Sequence, residues 1–449
     1  MSASEPPASE PSQTEPPQTE QPAGSRASGD AALRLSRRAC LAGGAAALAG
    51  AAAALLPPTW LGADPLSRWR PAPAAGRAPA EPPVLRDLAA LLPEPVVVRR
   101  VDVVQVERGA RWVRVTDAAG RIGAVPANDQ LAHLLPILRD LVVPAFVGQD
   151  ARAVERLVDD VYAAGRNYKY AGMPFWNCVA HVELACLDLL GRLAALPVGR
   201  LVAGAEEGVR RPRIPVYVTR LTRETTPERE VAAVAEALAR TGCRAVKVKV
   251  GGRMGRDDLL PGRTARLIPL LRRTLGDGVT LYADANGSYA DPDAAIAVGR
   301  LLEAHGVAVW EEPCPWQDYE GTKRVADALA LTVAGGEQES SAWQWGWMAR
   351  TRVLDCLQPD LYYNGGFVRA LRVARLAAAH GLGVAPHTPK ALPAAAPLLH
   401  FASVVPNLVG FQEYRAEAPE LVDGEVAVPT GPGLGTGHDA AHWARATPV

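Results

Sequence analysis

The sequence carries no net charge. Its 48 lysines and arginines balance 48 aspartates and glutamates, and no long basic stripe runs along the 449 residues. Nucleic acid or an anionic membrane surface as partner therefore has no electrostatic support. A C-x-x-C pair is also missing. The six cysteines, at 40, 178, 186, 243, 314 and 356, stand singly, and removal of an N-terminal export signal would leave an odd five. That argues against a disulfide framework even in an oxidising compartment. Cys186 and Cys356, inside apolar patterns, read as buried thiols. The Gly-rich tail PELVDGEVAVPTGPGLGTGHDAAHW lacks G-x-G-x-x-G spacing and no βαβ unit follows it, so it reads as a hairpin and a turn-rich closing segment rather than a dinucleotide fingerprint.

Residues 1 to about 30 are almost without apolar side chains and cannot offset the entropy of ordering, so disorder is expected there. Arg37 and Arg38 then precede an uncharged Ala/Gly-rich stretch, Ala39 to Leu56. Paired arginines before a weakly hydrophobic run resemble a twin-arginine export signal within residues 1–58, with delivery to the periplasm or the exterior. A membrane anchor is the alternative if the signal is not cleaved. A Pro/Ala-rich linker, 59–93, follows.

The length accommodates two or three domains. Residues 94–213 read as an α+β unit: strands with turns at Arg108-Gly109 and Ala118–Gly120, then a helical cluster. From Ile214 the texture becomes strict alternation. Apolar runs IPVYVT, AVKVKV, VTLYADA, VAVWEE, LTVAGGE, LDCLQPD, GLGVAPH and LVGFQEY are separated by helical patterns that mostly end at Gly. All but the first of these runs close on polar residues. A doubly wound sheet would gather such residues at one switch point, whereas barrel strand ends share a mouth, so a (β/α) barrel over 214–413 is expected.

Asp284, Glu311 and Glu337 close three successive runs. Converging carboxylates repel unless a cation intervenes, and all-oxygen ligation favours Mg²⁺ or Mn²⁺. Lys247 and Lys249, two apart on one strand, share a face; the valines between and beside them belong outside. Two neighbouring ammonium groups would depress each other's pKa and free one as a base. Asp360 and His387 form a candidate oriented acid/base pair. Glu413, if burial keeps it protonated, would donate to a substrate carboxylate.

The ordered set K-x-K at 247–249, D-x-N at 284–286, EEP at 311–313, GGE at 335–337, QPD…GG at 358–366, PH at 386–387 and Glu413 resembles the enolase superfamily, in particular its mandelate racemase subgroup, over residues 95 to 440. The insertion GGRMGRDDLLPGR departs from the family spacing between the lysines and Asp284. A muconate-lactonizing relative would carry Lys where this chain has Asp360. The resemblance implies a modified (β/α)₇β TIM-type barrel capped by an α+β domain that the segment 414–449 rejoins. It implies Mg²⁺ on Asp284, Glu311 and Glu337, Lys249 as base with Lys247 lowering its pKa, and His387 oriented by Asp360 on the opposite face. Glu413 and Asn286 would touch the substrate.

Abstraction of a proton α to a carboxylate is the chemistry such a set serves. Dehydration of an acid sugar, an aldonate or aldarate, is the expected outcome, with racemisation or epimerisation as the alternative and a non-catalytic, secreted sugar-acid binder as the rival from another class. Arg166, Asn167, Tyr168 and Lys169 in the cap and Lys390 beyond His387 are candidate polyol contacts. Trp316, Trp343, Trp345 and Trp347 are expected mostly to pack between barrel helices. A homo-oligomer with a small-molecule carboxylate as partner, and no membrane domain after export, completes the expectation.

Overall fold

A computed structural model describes residues 83–106, 111–207, 209–415 and 418–449. The export signal and the turn at Arg108-Gly109 lie outside the described residues. The end of the segment read as linker packs on the cap: Leu85 and Leu88 are buried, and the amides of Val84 and Leu85 donate to Glu155 at 2.9 and 3.1 Å.

Three antiparallel strands, β1 (Val98–Val106), β2 (Arg111–Asp117) and β3 (Ile122–Pro126), form the cap sheet. Helices α1 (Val154–Ala163), α2 (Met173–Leu193) and α3 (Val198–Glu207) follow. α2 is buried on nearly every side from Phe175 to Gly191, as its all-round apolar sequence requires. β3 lies so close to it that a Cβ on Gly123 would come 2.3 Å from the Ala185 carbonyl oxygen, which only glycine avoids.

Strand–helix alternation then begins with β4 (Arg213–Thr219), α4 (Pro227–Thr241), β5 (Ala245–Lys249), α5 (Arg263–Leu275), β6 (Thr280–Asp284) and α6 (Pro292–Ala304). It continues through β7 (Val307–Glu311), α7 (Tyr319–Ala328), β8 (Thr332–Gly335), α8 (Ala342–Thr351), β9 (Cys356–Leu357) and α9 (Phe367–Ala379). It ends with β10 (Gly383–Val384), α10 (Ala396–Val404) and β11 (Gln412–Tyr414). Each strand from β4 to β10 pairs parallel with the next. The last stretch closes the ring: Val384 bridges to Leu408, and Gln412–Tyr414 pair parallel with Val216–Val218. The result is the (β/α)₇β barrel. Val246, Val248 and Val250 are buried on one side of β5 and Lys247 and Lys249 on the other, as the alternation of strand side chains dictates.

The tail ties barrel to cap. A hairpin, β12 (Leu421–Val422) with β13 (Glu425–Ala427), pairs antiparallel with the start of β4, and β14 (Ala446–Pro448) joins the cap sheet beside β1. Asp188 of α2 fastens this return. Its carboxylate accepts from the amides of Ala124 at 2.9 Å and Leu434 at 2.7 Å and from Arg192 Nε at 2.9 Å, with His438 Nε2 also at 2.9 Å. Nearby, the Glu183 carboxylate accepts from the amides of Phe367 and Val368 at 3.0 and 2.8 Å, anchoring the cap to the start of α9. The five cysteines among the described residues are buried free thiols, and no helix among those residues is long and apolar enough to cross a membrane.

Burial alone would raise the Asp188 pKa, but the His438 hydrogen bond and the charges of His438 and Arg192 outweigh it and hold the carboxyl below its ordinary range. A depressed carboxyl stabilises the fold above the unfolded pKa of about 3.9 and loses that contribution as pH falls through the folded value. Asp188→Asn is expected to cost about 3 kcal/mol in urea unfolding at pH 7, with the deficit shrinking on acidification below pH ~4.

Candidate active site

Strand ends deliver the predicted residues to one mouth. Lys249, Asp284 and Glu311 occupy the same layer, since Lys249 pairs in register with Asp284 and Asp284 with Glu311. Glu337 lies just past β8, Asp360 just past β9, His387 just past β10, and Glu413 within β11. All seven are largely buried.

Their partners are specific. Lys247 Nζ lies 3.0 and 2.9 Å from the two Glu311 oxygens and 3.0 Å from Glu413 Oε1, with Asp284 Oδ2 at 3.5 Å. Lys249 Nζ donates to Asp284 Oδ2 and, at 2.9 Å, to Asn286 Oδ1. His387 bonds Asp360 Oδ2 through Nδ1 at 2.9 Å, and its Nε2 lies 3.1 Å from Glu337 Oε2. Asp360 is itself fixed, accepting from the amides of Tyr362 and Tyr363 at 2.7 and 3.1 Å. Gln358 donates to Glu311 at 3.0 Å, and Thr219 Oγ1 and the Thr388 amide donate to Glu413 at 3.0 and 3.1 Å.

Two electrostatic expectations are corrected. Lys247 is not depressed by its neighbour. Burial acts in that direction, but Glu311, Glu413, Tyr217 and Asp284 hold its pKa well above the ordinary lysine value. Glu413 is not kept protonated. Burial favours the neutral acid, yet the charges of Lys247 and His387 prevail and bring its pKa down to about 2. As arranged here Glu413 is an acceptor with its donors already in place, not a donor. Glu311 moves the other way, to about 7, through burial and the charge of Asp284.

Sequence reasoning passed over Glu312 and Arg223. Glu312 follows Glu311 at the end of β7. A left-handed backbone, φ 44°, accompanies its burial, and its Oε1 has no partner among the described residues. Burial and then the charge of Glu337 push its pKa well above the carboxylate range. The doubled acid of EEP was its only signal. Arg223, in the loop after β4, donates to Asn286 Oδ1 at 2.8 Å; no periodicity marks it.

The other predicted contacts take no part in this hydrogen-bond network among the described residues. Tyr168 and Lys169 are exposed on the cap, and Asn167 is occupied with the carbonyls of Leu141 and Val161 at 2.9 and 2.8 Å. Lys390, beyond His387, stands 5.9 Å from the Tyr362 ring. Of the tryptophans, Trp345 is buried and Trp347 packs edge-on against Tyr319, while Trp343 is 87% exposed.

Six carboxyl groups (Asp284, Glu311, Glu312, Glu337, Asp360, Glu413) thus share the mouth with three fixed cations (Lys247, Lys249, Arg223) and His387. The surplus of hard oxygen donors fits a divalent cation such as Mg²⁺. All of these acids but Glu312 are turned to a lysine or histidine, and among the described residues no three acidic, histidine or cysteine side chains converge as a ready-made shell.

A barrel with proton carriers and carboxylates at its C-terminal mouth defines an enzyme class, and the comparisons identify it. The Enolase C-terminal domain-like family matches residues 230–442. A candidate racemase from Roseobacter denitrificans superposes with a TM-score of 0.72 at 32% identity, over 79% of this chain and 98% of that one. A mandelate racemase/muconate lactonizing protein from Paracoccus denitrificans PD1222, complexed with magnesium, gives a TM-score of 0.70 at 27% identity, over 79% and 99%. Arabinonate dehydratase of Saccharolobus solfataricus is 25% identical over 66% of this chain and 79% of its own length. Further curated relatives are acid-sugar dehydratases and cycloisomerases. The chain belongs to the enolase superfamily, whose members are enzymes that use Mg²⁺.

His387 yields a direct check on the site's electrostatics. Burial opposes its charge, but Glu337, Glu413 and the bond to Asp360 push its pKa to about 10. A raised histidine stabilises the fold below the unfolded value near 6.5 and withdraws that contribution as pH rises through the folded one. In metal-free protein, ¹⁵N NMR is expected to find the imidazole titrating near pH 10. Asp360→Asn should bring it down by about one unit or more.

Proposed function

We propose that the protein is a Mg²⁺-dependent hydro-lyase that removes the proton α to the carboxylate of an acid sugar, an aldonate or aldarate, and expels the β-hydroxyl to leave a 2-keto-3-deoxy acid. The observation that carries this reading is a pair of proton carriers, Lys249 on β5 and His387 beyond β10, set across a mouth rich in carboxylates. β5 and β10 stand three strands apart one way round the barrel and five the other.

Asp284, Glu311 and Glu337 would hold the cation, with Mn²⁺ as an alternative occupant. Mg²⁺ supplies a Lewis acid that polarises the substrate carboxylate and offsets the charge accumulating as the α-proton departs. Asp284 and Glu337, which hold Lys249 and His387, are among the acids that would hold the ion, so ion binding and release of the two proton carriers would be one exchange of partners.

Lys249 takes the α-proton. Lys247, wedged between Glu311 and Glu413, adds fixed positive charge beside the reacting carboxylate. Asp360 holds the Nδ1 side of His387, leaving Nε2 as the working nitrogen. From Nε2 a proton passes to the departing β-hydroxyl, which leaves as water; the enol that remains gains a proton at the former β-carbon and becomes the keto acid. The same two carriers serve the second reading, racemisation or epimerisation, in which His387 returns the proton to the α-carbon from the opposite face. Similarity to a candidate racemase supports it. Asp360, where muconate-lactonizing relatives are expected to carry Lys, speaks against muconate-type lactonization. The paired arginines Arg37-Arg38 and the Ala-rich stretch after them support export, which would put the reaction outside the cytoplasm.

A panel of aldonates and aldarates with Mg²⁺, assayed for semicarbazide-reactive keto acid, tests the reading. Lys249→Ala and His387→Asn should each lower turnover of the accepted acid by at least about 10³-fold. Mg²⁺ should still raise the melting temperature of both variants. Full turnover by either would remove that residue from the mechanism.

A further inference from the structure

Arg223 is a buried guanidinium without an ion-pair partner among the described residues. It is 6% exposed, its Nη2 donates to Asn286 Oδ1 at 2.8 Å and to the Ala285 carbonyl at 3.4 Å, and its Nε has no hydrogen-bond partner among the described residues. No carboxylate among those residues lies within ion-pair distance of it, and the charges of Asp284 and Glu224 reach it only from farther off. Asn286 Oδ1 also accepts from Lys249 Nζ at 2.9 Å. Two cationic groups therefore share one neutral oxygen and stand within two hydrogen-bond lengths of each other. Leaving a guanidinium buried, unpaired and beside an ammonium is costly.

The loop that carries Arg223 is built to hold it there. Glu230 of α4 accepts from Arg220 Nε at 2.9 Å, Thr222 Oγ1 at 2.7 Å and Thr225 Oγ1 at 2.5 Å. From the other side Arg263 of α5 donates to the carbonyls of Thr225 at 2.8 Å, Lys249 at 2.9 Å and Thr222 at 3.4 Å. The loop is thereby clamped to α4, to α5 and to the end of β5. A guanidinium fixed in this way is preorganised for a planar anion, which it binds by paired N–H donors more readily than an ammonium does.

We propose that Arg223 binds a second carboxylate on the substrate, and hence that the natural substrate is a dicarboxylate, an aldarate-type diacid rather than an aldonate. The inference rests on the acid-sugar reading above. The α-carboxylate takes the cation-binding part of the mouth, Lys249 faces the α-carbon, and the distal carboxylate settles against Arg223, supplying the ion-pair partner that it lacks among the described residues.

Matched pairs that differ only at the distal carbon, galactarate with galactonate and glucarate with gluconate, test it on Mg²⁺-loaded full-length protein. Calorimetry with the Lys249→Ala variant reads binding without turnover. The better diacid is expected to bind at least about tenfold more tightly than its monoacid, the scale of one charge-assisted contact. Arg223→Gln should abolish that preference while moving the monoacid by less than about threefold, and Arg223→Lys should restore only part of it. In the otherwise wild-type enzyme, Arg223→Gln should act on the diacid chiefly through KM. Equal binding of both members of each pair by protein carrying Arg223 would overturn the proposal. So would a loss in Arg223→Gln that is the same for diacid and monoacid and confined to kcat, which would make Arg223 a positioning residue for Asn286 and Lys249. Failure of the hydro-lyase reading is distinct: no acid of the panel would yield keto acid, while the calorimetric preference would still report on Arg223.

Discussion

Lys247 is the charge around which the mouth is arranged. It is 1% exposed, held by both oxygens of Glu311 and by Glu413, with Asp284 just beyond. Removing an ammonium from water on this scale is tolerable only when anions surround it, and each of those anions needs further donors of its own. Gln358 meets Glu311, Thr219 and Thr388 meet Glu413, and Lys249 meets Asp284. The network reaches from β4 and β5 through β6 and β7 to β11, so the strands that close the barrel also close the charge balance.

That balance explains why the second lysine and the histidine are poised differently. Lys247 is surrounded and fixed. Lys249 has one carboxylate and one amide oxygen, while His387 stands between Glu337 and Asp360. Groups with replaceable partners can exchange them for ion and substrate; a group locked by several acids supplies charge instead. The division of labour between two lysines only two residues apart follows from what each side chain meets, not from their proximity.

Much of this was legible in the sequence. Lys247, Lys249, Asp284 and Glu311 were found because side-chain parity along a strand decides which residues point inward, and register then places them together. Asp360 and His387 were legible as a pair because barrel strand ends converge. What escaped depended on features without a period. Arg223 sits in a loop whose shape is set by Glu230 and Arg263, and Glu312 comes with a left-handed backbone that alternation does not foresee. The charge states of Lys247 and Glu413 were misjudged for a related reason, since each follows from a complete set of neighbours. Tyr168 and Lys169, by contrast, belong to the exposed surface of the cap turn.

The account's central claim is that Lys249 and His387 move a proton at the carbon beside a carboxylate. The most direct measurement is ¹H NMR of an accepted acid incubated in D₂O with Mg²⁺-loaded protein. The prediction is loss of the α-proton signal at a rate at least equal to product formation, with one deuterium at the former β-carbon of the keto acid, or at the α-carbon of an inverted stereoisomer if the second reading holds. Product formed with its original α-proton retained, or an acid that binds tightly and exchanges nothing, would contradict it.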